Sequence, residues 1–158
     1  MSGQLKLAPE HVSPDVLKLM GKPDIEKYRR FCQKFEAASA KAGKKQYVLP
    51  YFMSSHPGST LMDAIRLAEY IRDSGFMPEQ AQDFYPTPGT LATCMFYTGI
   101  NPETGKKIYI PKSREEKEMQ RALIHYKNPK NRAVVKKALR KAERDDLIGN
   151  GKKKLVRE

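Results

Sequence analysis

The chain has 158 residues, of which 30 are Lys or Arg and 18 are Asp or Glu, so its formal net charge is +12. This length suits one ordinary domain and is shorter than the ~200 residues that a complete eight-stranded α/β barrel needs. The mean hydropathy of −0.68 indicates a polar but folded chain, and no apolar run reaches the ~18 residues of a membrane-spanning helix. The N-terminus lacks the apolar core of a secretory signal, and Cys32 and Cys94 are too few for a disulfide framework or a four-thiolate metal site. We therefore expect a reducing, cytoplasmic location.

The positive charge is concentrated in the last third of the chain. Residues 1–105 carry 12 Lys/Arg against 11 Asp/Glu, whereas residues 106–158 carry 18 against 7. Such an excess is typical of a surface that contacts phosphates or other anions. The alternative is a solvated, highly charged end of the protein that only confers solubility.

The first half of the sequence alternates strands and helices. We predict three strands, over residues 3–8, 46–53 and 81–85. The second strand is a nearly continuous apolar run, which is typical of a strand buried on both faces. We predict three helices between these strands, over residues 14–20, 24–42 and 60–74. Strands joined through helices predict βαβ units, a parallel sheet and right-handed crossovers.

The second half begins with a predicted hairpin, or a looser excursion of the chain, and a predicted helix. Residues 93–98 and 107–110 have a β-like composition and flank the turn-forming segment 101–105. The sequence that starts at Ser113 fits a capping box and opens a helix to about Tyr126. From this point the chain is expected to be mainly helical and basic.

The last predicted helix, from Asn128 to about Arg144, has one apolar face and one basic face, and a basic, glycine-containing tail follows Gly149. If the chain is a nucleic-acid-binding module, this face and this tail would contact phosphates without base readout. The residues expected to do so are Lys136, Lys137, Arg140, Lys141, Lys152, Lys153 and Lys154.

Polar or turn-forming segments follow all three predicted strands, at residues 9–11, 54–58 and 85–90. Ligands of parallel α/β sheets bind outside the carboxyl ends of the strands, so these segments are candidates for one site. Glu10 could accept hydrogen bonds from ribose hydroxyls, and Gly58 permits close approach of the backbone to an adenine edge. The alternative is three ordinary strand-to-helix turns, for which Ser, Pro and Gly are the usual residues.

Single reactive residues give no stronger signal. His11 and His56 are candidate acid–base groups, but histidines in loops are commonly only hydrogen-bonded or solvated. Cys32 belongs to an apolar helical stripe, and nothing near Cys94 favours a thiolate nucleophile. Nucleotide-binding glycine loops, zinc-ligand pairs and a serine elbow are absent from the sequence. The residues alone therefore predict no metal site and no reaction.

Several ordered blocks of sequence carry a family resemblance. They are Ser2–His11, Val16–Lys22, Pro50–Thr60 (PYFMSSHPGST), Gln82–Thr90 (QDFYPTPGT), Cys94–Gly99 (CMFYTG) and the tail Asp146–Lys153 (DLIGNGKK). In this order they resemble the YgiQ-type members of the radical S-adenosylmethionine (SAM) superfamily, and the resemblance covers essentially the whole chain.

The resemblance implies an α/β fold that is half of a partial (β/α)6 barrel. In this superfamily the barrel holds a 4Fe-4S cluster and SAM, and reductive cleavage of SAM yields a radical that abstracts hydrogen from a substrate. Residues 1–90 look like the parallel-sheet, C-terminal half of such a barrel, with strands four to six. Residues 91–158 look like a family-specific, mainly helical and basic C-terminal extension.

The same resemblance implies which residues would contact SAM. Glu10 falls where related enzymes carry a polar residue directed at the SAM ribose. The strand-five segment looks like the one that lines the adenine, and its residues are Met53, Ser54, Ser55, His56 and Pro57. The end of strand six, whose backbone also contacts the adenine in the superfamily, comprises Tyr85, Pro86 and Thr87.

The sequence departs from the superfamily in two motifs. The Cys-x3-Cys-x2-Cys loop that binds the cluster is absent, and so is the glycine-rich strand that holds the methionyl amine. We therefore expect the C-terminal part of a longer radical SAM enzyme of unknown substrate, with the N-terminal half of the barrel as its partner. We expect this chain alone to bind neither cofactor tightly and to be inactive. The alternative is a basic module without catalytic activity that binds RNA or another polyanion.

Overall fold

The computed structural model describes residues 3–157, so Met1, Ser2 and Glu158 lie outside the described residues. Three strands are present in this range: β1 (Gln4–Glu10), β2 (Tyr47–Ser54) and β3 (Ala81–Asp83). The α-helices are α1 (Pro14–Leu19), α2 (Ile25–Lys41), α3 (Leu61–Ser74), α4 (Leu91–Thr98), α5 (Arg114–Ile124) and α6 (Arg132–Lys141). Two 3-10 helices, Pro129–Asn131 and Asp145–Leu147, flank α6. None of the helices within residues 3–157 combines the length and the apolar character needed to cross a membrane.

The three strands form one parallel sheet in the order β1-β2-β3. Gln4 lies beside Tyr47 and Met53 lies beside Gln82, while the register of β1 shifts between Leu7 and Glu10. Helices α1 and α2 connect β1 to β2, and α3 connects β2 to β3. The predicted α/β class and parallel sheet are confirmed.

One face of the sheet packs on helices. Phe52 is buried in a hydrophobic core together with residues of α3 and α5, and α5 also contacts β3. On β1, the exposed residues Gln4, Lys6 and Ala8 alternate with half-buried leucines, so the opposite face of β1 is uncovered by the described residues. Within β2 only Phe52 and Ser54 are fully buried. The expectation that this strand is buried on both faces is therefore wrong for this chain.

The second half of the chain shares this core. Leu123 of α5 and Leu139 of α6 are completely buried in the same cluster as Phe52. The C-terminal segment folds back as well, because Ile148 forms a parallel bridge with Val156 and Val156 is buried. The basic tail predicted after Gly149 is thus anchored at its end by apolar side chains.

The predicted hairpin of residues 93–98 and 107–110 is wrong. Residues 91–98 form helix α4, in which the Thr90 hydroxyl accepts a hydrogen bond from the backbone N–H of Thr93. Gly99, with a φ of +68°, ends the helix in the left-handed conformation that favours glycine. Only one antiparallel bridge, between Ile100 and Lys107, remains of the expected pairing within the described residues. The cap and the glycine stop outweigh the β-like composition.

The two helices predicted next are present with different limits. The Ser113 hydroxyl caps α5 by accepting a hydrogen bond from the N–H of Glu116, and the helix ends two residues before Tyr126. The last helix is split, because the Asn128-Pro129 segment forms a 3-10 turn before α6 begins.

Candidate functional site

The carboxyl ends of the three strands lie at one edge of the sheet. The Ser54 hydroxyl at the end of β2 hydrogen-bonds to the carboxylate of Asp83 at the end of β3. The N–H of Phe84 donates to the Ser54 carbonyl at 2.8 Å. At the end of β1, Glu10 lies beside Phe52 in the strand register. We call this strand-end edge, with residues 9–11, 54–58 and 84–87, the carboxyl edge.

The backbone is strained at two positions of the carboxyl edge. Glu10 has a φ of +64° and Ser55 a φ of +62°, which lie in the left-handed region that non-glycine residues rarely adopt. Such residues cost on the order of 1–3 kcal/mol and concentrate at ligand-binding sites. Ser55 is also unusual in its side chain, whose buried hydroxyl oxygen has no hydrogen-bond partner among residues 3–157. Both features indicate a position shaped for a ligand.

Gln120 of α5 holds the loop after β2 in place. Its Oε1 accepts hydrogen bonds from the Ser55 N–H at 3.1 Å and from the Ser59 hydroxyl at 3.0 Å. Its Nε2 donates to the Ser59 carbonyl at 2.9 Å, and the side chain is completely buried. We call this set of hydrogen bonds the Gln120 clamp. Sequence reasoning missed it, and the available signal was a glutamine within the apolar face of α5, next to Met119 and one turn before Leu123.

Two histidines are buried beneath the carboxyl edge. The N–H of Ser13 donates to Nδ1 of His11 at 3.0 Å, so the ring proton of neutral His11 lies on Nε2. Nδ1 of His56 is 2.8 Å from the Pro57 carbonyl, which can only accept, so this nitrogen carries the proton. The His56 ring packs edge-on against Phe84 with 5.2 Å between centroids. Nε2 of neutral His56 is therefore a hydrogen-bond acceptor.

Burial keeps both histidines neutral. It lowers the pKa of His11 to about 4, an effect that Asp63 opposes and His56 reinforces. Burial also lowers the pKa of His56, although the hydrogen bond to Pro57 and the charge of Glu10 oppose it. Near neutral pH neither ring is a proton donor of the imidazolium type. Their predicted acid–base role stays a prediction.

Asp63 links two of the elements that support the histidines. Its carboxylate accepts hydrogen bonds from the Ser13 hydroxyl at 2.8 Å and from the Thr60 hydroxyl at 2.6 Å. Burial alone would raise the pKa of Asp63, but these hydroxyls offset it, so the pKa lies below its usual value. Ser13 precedes α1 and Thr60 caps α3, so one carboxylate joins the starts of both helices.

The other predicted SAM-binding residues differ in exposure. Glu10 forms an ion pair with Lys22 at 3.1 Å. Tyr85 is 77% exposed, and the Thr87 carbonyl accepts hydrogen bonds from the hydroxyls of Thr90 and Thr93. Pro57 is buried, whereas Met53 and Pro86 are half-buried.

A small cavity of about 280 Å³ lies next to His56. It is lined by the end of α1, by the first turn of α4 and by residues 101–103. His56 of the carboxyl edge thus borders a concave space.

The described residues supply no ligand set for a metal cluster. Cys32 is half-buried on α2 and Cys94 is exposed on α4. No group of three His, Cys, Asp or Glu side chains within residues 3–157 could hold a metal ion. An iron–sulfur cluster therefore does not fit the residues of this segment.

Some of the basic residues predicted for nucleic-acid binding form ion pairs or hydrogen bonds within the chain. Lys137 pairs with Glu115 at 2.6 Å, and Arg140 approaches Asp145 at 3.9 Å. The Lys154 ammonium group donates to the Asp146 carbonyl. Lys136 is half-buried, and the remaining three residues are exposed: Lys141, Lys152 and Lys153. Their contact with phosphates stays a prediction.

Comparison with known proteins places the chain within larger relatives. Residues 79–158 match the sequence profile of a family described as a domain of unknown function, DUF3362. Over all 158 residues the chain is 62% identical to a UPF0313 protein of Clostridium perfringens strain 13, of which it covers 24%. It is 58% identical over 157 residues to a UPF0313 protein of Methanocella arvoryzae, and 54% identical over 157 residues to one of Methanosarcina mazei. These matches cover 99% of this chain and 26% and 25% of the two archaeal proteins. The chain thus spans about a quarter of the length of the curated relatives that it matches.

The buried histidines predict an acid-sensitive fold. Because the pKa of His11 falls from 6.5 to about 4 on folding, the unfolded chain binds more protons between these values, and stability decreases as the pH falls through this window. The His11 contribution amounts to about 3 kcal/mol, and His56 acts in the same direction. In His11→Asn, Oδ1 can accept the Ser13 N–H as Nδ1 does, without titrating. The free energy of unfolding, measured with urea, should decrease less between about pH 7.5 and pH 4.5 for this variant than for the native chain. Equal losses in both would contradict the assignment.

The Gln120 clamp predicts a specific cost of truncation. Gln120→Ala leaves the Ser55 N–H and the Ser59 hydroxyl and carbonyl without their partner, which should lower the free energy of unfolding by about 1–3 kcal/mol. Amide hydrogen exchange at Ser55 should accelerate beyond this global effect. Gln33→Ala, at an exposed position of α2, is the matched control and should change the free energy of unfolding by less than about 0.5 kcal/mol. Similar values for the two variants would mean that the clamp carries no stability.

Proposed function

Since this chain belongs to the DUF3362 family, we propose that it is the C-terminal part of a YgiQ-type radical SAM enzyme and supplies half of the SAM pocket. The observation that carries the proposal is the carboxyl edge with its strained Ser55, whose buried hydroxyl has no partner among the described residues. A polar ligand bound at this edge would satisfy that hydroxyl. A nucleoside bound there would match the usual position of ligands in parallel α/β sheets.

The sheet supports the barrel part of the proposal. Three parallel strands with helices on one face would correspond to the last three strands of a (β/α)6 barrel. The uncovered face, with Gln4 and Lys6, would then line the barrel interior. The outer edge of β1 has no neighbouring strand among residues 3–157 and would pair with the preceding strand of the barrel. Relatives about four times as long leave room for those strands.

Different residues of the carboxyl edge would contact different parts of SAM. Glu10 would accept hydrogen bonds from the ribose hydroxyls, and the Ser55 hydroxyl would bond a second polar group of the nucleoside. The backbone of residues 54–57 and 85–87 would border the adenine. In the complete enzyme, SAM and a 4Fe-4S cluster would supply radical hydrogen abstraction. The cysteines of that cluster would come from outside this segment.

The second half of the chain would brace the pocket. The Gln120 clamp joins α5 directly to the loop after β2 and satisfies the backbone of the strained Ser55. We infer that one task of the DUF3362 region is to hold this loop in its ligand-binding conformation.

Substitution of Glu10 tests the proposal in a full-length protein that carries this segment. After anaerobic reconstitution, that protein should retain about one 4Fe-4S cluster and bind SAM. Glu10→Ala should weaken SAM binding by about tenfold or more, since a charged acceptor contributes roughly 1.5–3 kcal/mol. Glu10→Gln should keep most of the affinity, because an amide oxygen can still accept the ribose hydroxyls.

Equilibrium dialysis with labelled SAM gives the affinities, and iron and sulfide analysis gives the cluster content. Glu36→Ala, an exposed carboxylate on α2, is the matched control. No SAM binding by the reconstituted protein, or equal affinities for Glu10→Ala and the control, would contradict the proposal. A near-stoichiometric cluster on this chain alone would contradict the assignment of its ligands to another segment.

A further inference from the structure

A second concave site lies between the end of β3, helix α5 and the 3-10 helix before α6. This cleft has a volume of about 650 Å³. Five cationic side chains and two carboxylates line it: Lys112, Arg114, Lys117, Arg121 and Lys130, with Asp83 and Glu118. We call it the basic cleft. We propose that the basic cleft binds a phosphate group of the substrate.

Two of the cations are held in position by neighbours. Arg121 forms an ion pair with Asp83 at 2.8 Å. The Lys117 ammonium group lies over the ring of Phe96, 5.2 Å from its centroid. These contacts fix one wall of the cleft before any ligand binds, which lowers the entropy cost of binding.

The other three cations have no such neighbours. Lys112, Arg114 and Lys130 are exposed, and their side chains form no ion pair or hydrogen bond with the described residues. Lys112, Arg114 and Lys130 thus bring three unpaired positive charges to one concave surface, an arrangement that attracts and retains anions.

The chemistry and the size of the cleft fit a phosphate ester. Arginine and lysine donate charge-assisted hydrogen bonds to phosphate oxygens, and arginine can do so with two parallel bonds. The volume lies within the range of about 300–1,000 Å³ that small-molecule sites occupy. The cleft therefore has room for the phosphate together with part of the group that carries it.

The position of the cleft connects it to the carboxyl edge. Asp83 lines the cleft, and its carboxylate also accepts the hydrogen bond from Ser54 at the end of β2. A ligand whose phosphate occupies the cleft could extend past β3 toward the proposed SAM pocket. Assignment of that phosphate to the substrate rests on the proposed function, whereas phosphate binding by the cleft does not.

The test uses a full-length protein that carries this segment, with inorganic pyrophosphate and a single-stranded RNA of about 20 nucleotides as probes. The cleft variant is Lys112→Ala/Arg114→Ala/Lys130→Ala. The control variant is Lys34→Ala/Lys41→Ala/Lys44→Ala, which removes the same charge from exposed positions on and after α2. All six positions are exposed, so both variants should fold, and thermal unfolding checks this.

Titration calorimetry with pyrophosphate and fluorescence anisotropy with RNA measure the two affinities at several salt concentrations. Whichever of the two probes binds the native protein should bind the cleft variant at least about 100-fold more weakly. If the phosphate belongs to a polynucleotide, the slope of log affinity against log salt should also fall by about 2, because three phosphate contacts are lost. The control variant should change neither quantity.

The outcomes separate the sources of the phosphate. Loss of pyrophosphate binding without any effect on RNA assigns the site to a small phosphate compound, and loss of RNA binding with the reduced slope assigns it to a polynucleotide. If neither probe binds the native protein, or if both variants weaken binding equally, the proposal is wrong. SAM affinity is measured on the same proteins. Phosphate binding without SAM binding would refute the proposed function alone, and the reverse result would refute the cleft alone.

Discussion

A buried amide of the second half of the chain holds the loop after β2 in the first half. Gln120 lies among the buried and otherwise apolar residues of α5, where an unsatisfied amide would be costly, and its hydrogen bonds to Ser55 and Ser59 satisfy it. The same bonds fix the loop after β2, and Ser55 in that loop has a left-handed backbone. Packing of α5 and the shape of the carboxyl edge are therefore one constraint, because neither can change without breaking the Gln120 clamp.

The carboxyl edge and the basic cleft offer two different electrostatic environments. Beneath the edge, burial keeps His11 and His56 neutral, which suits the hydrogen-bonding groups of an uncharged nucleoside. In the cleft, charged side chains from three elements face a common space. Asp83 links the two, through Ser54 on one side and Arg121 on the other. In the proposed function, two ligands would lie side by side in these two environments.

Much of the architecture could be predicted from local patterns in the sequence. The spacing of apolar residues in α3 and the alternation of strands and helices predicted the parallel sheet. Both signals depend only on residues that are close together in the sequence. Helix α4 was predicted as a strand since its composition is β-like, although Thr90 and Gly99 supply a helix start and stop. The Gln120 clamp could not be predicted, because its partners lie 61 and 65 residues away along the chain. The basic cleft could not be predicted from the sequence for a similar reason. Lys112 and Lys130 are separated in the sequence by helix α5 and meet only in the folded chain.

The central claim is that the carboxyl edge faces a bound nucleoside. Amide hydrogen exchange of segment 54–58 in the reconstituted full-length protein, with and without SAM, tests it most directly. Bound SAM should slow exchange in this segment and in residues 85–87, while exchange in α6, whose buried face lies in the core, should stay unchanged. Unchanged exchange at the edge in a protein that demonstrably binds SAM would place the ligand elsewhere and contradict the account.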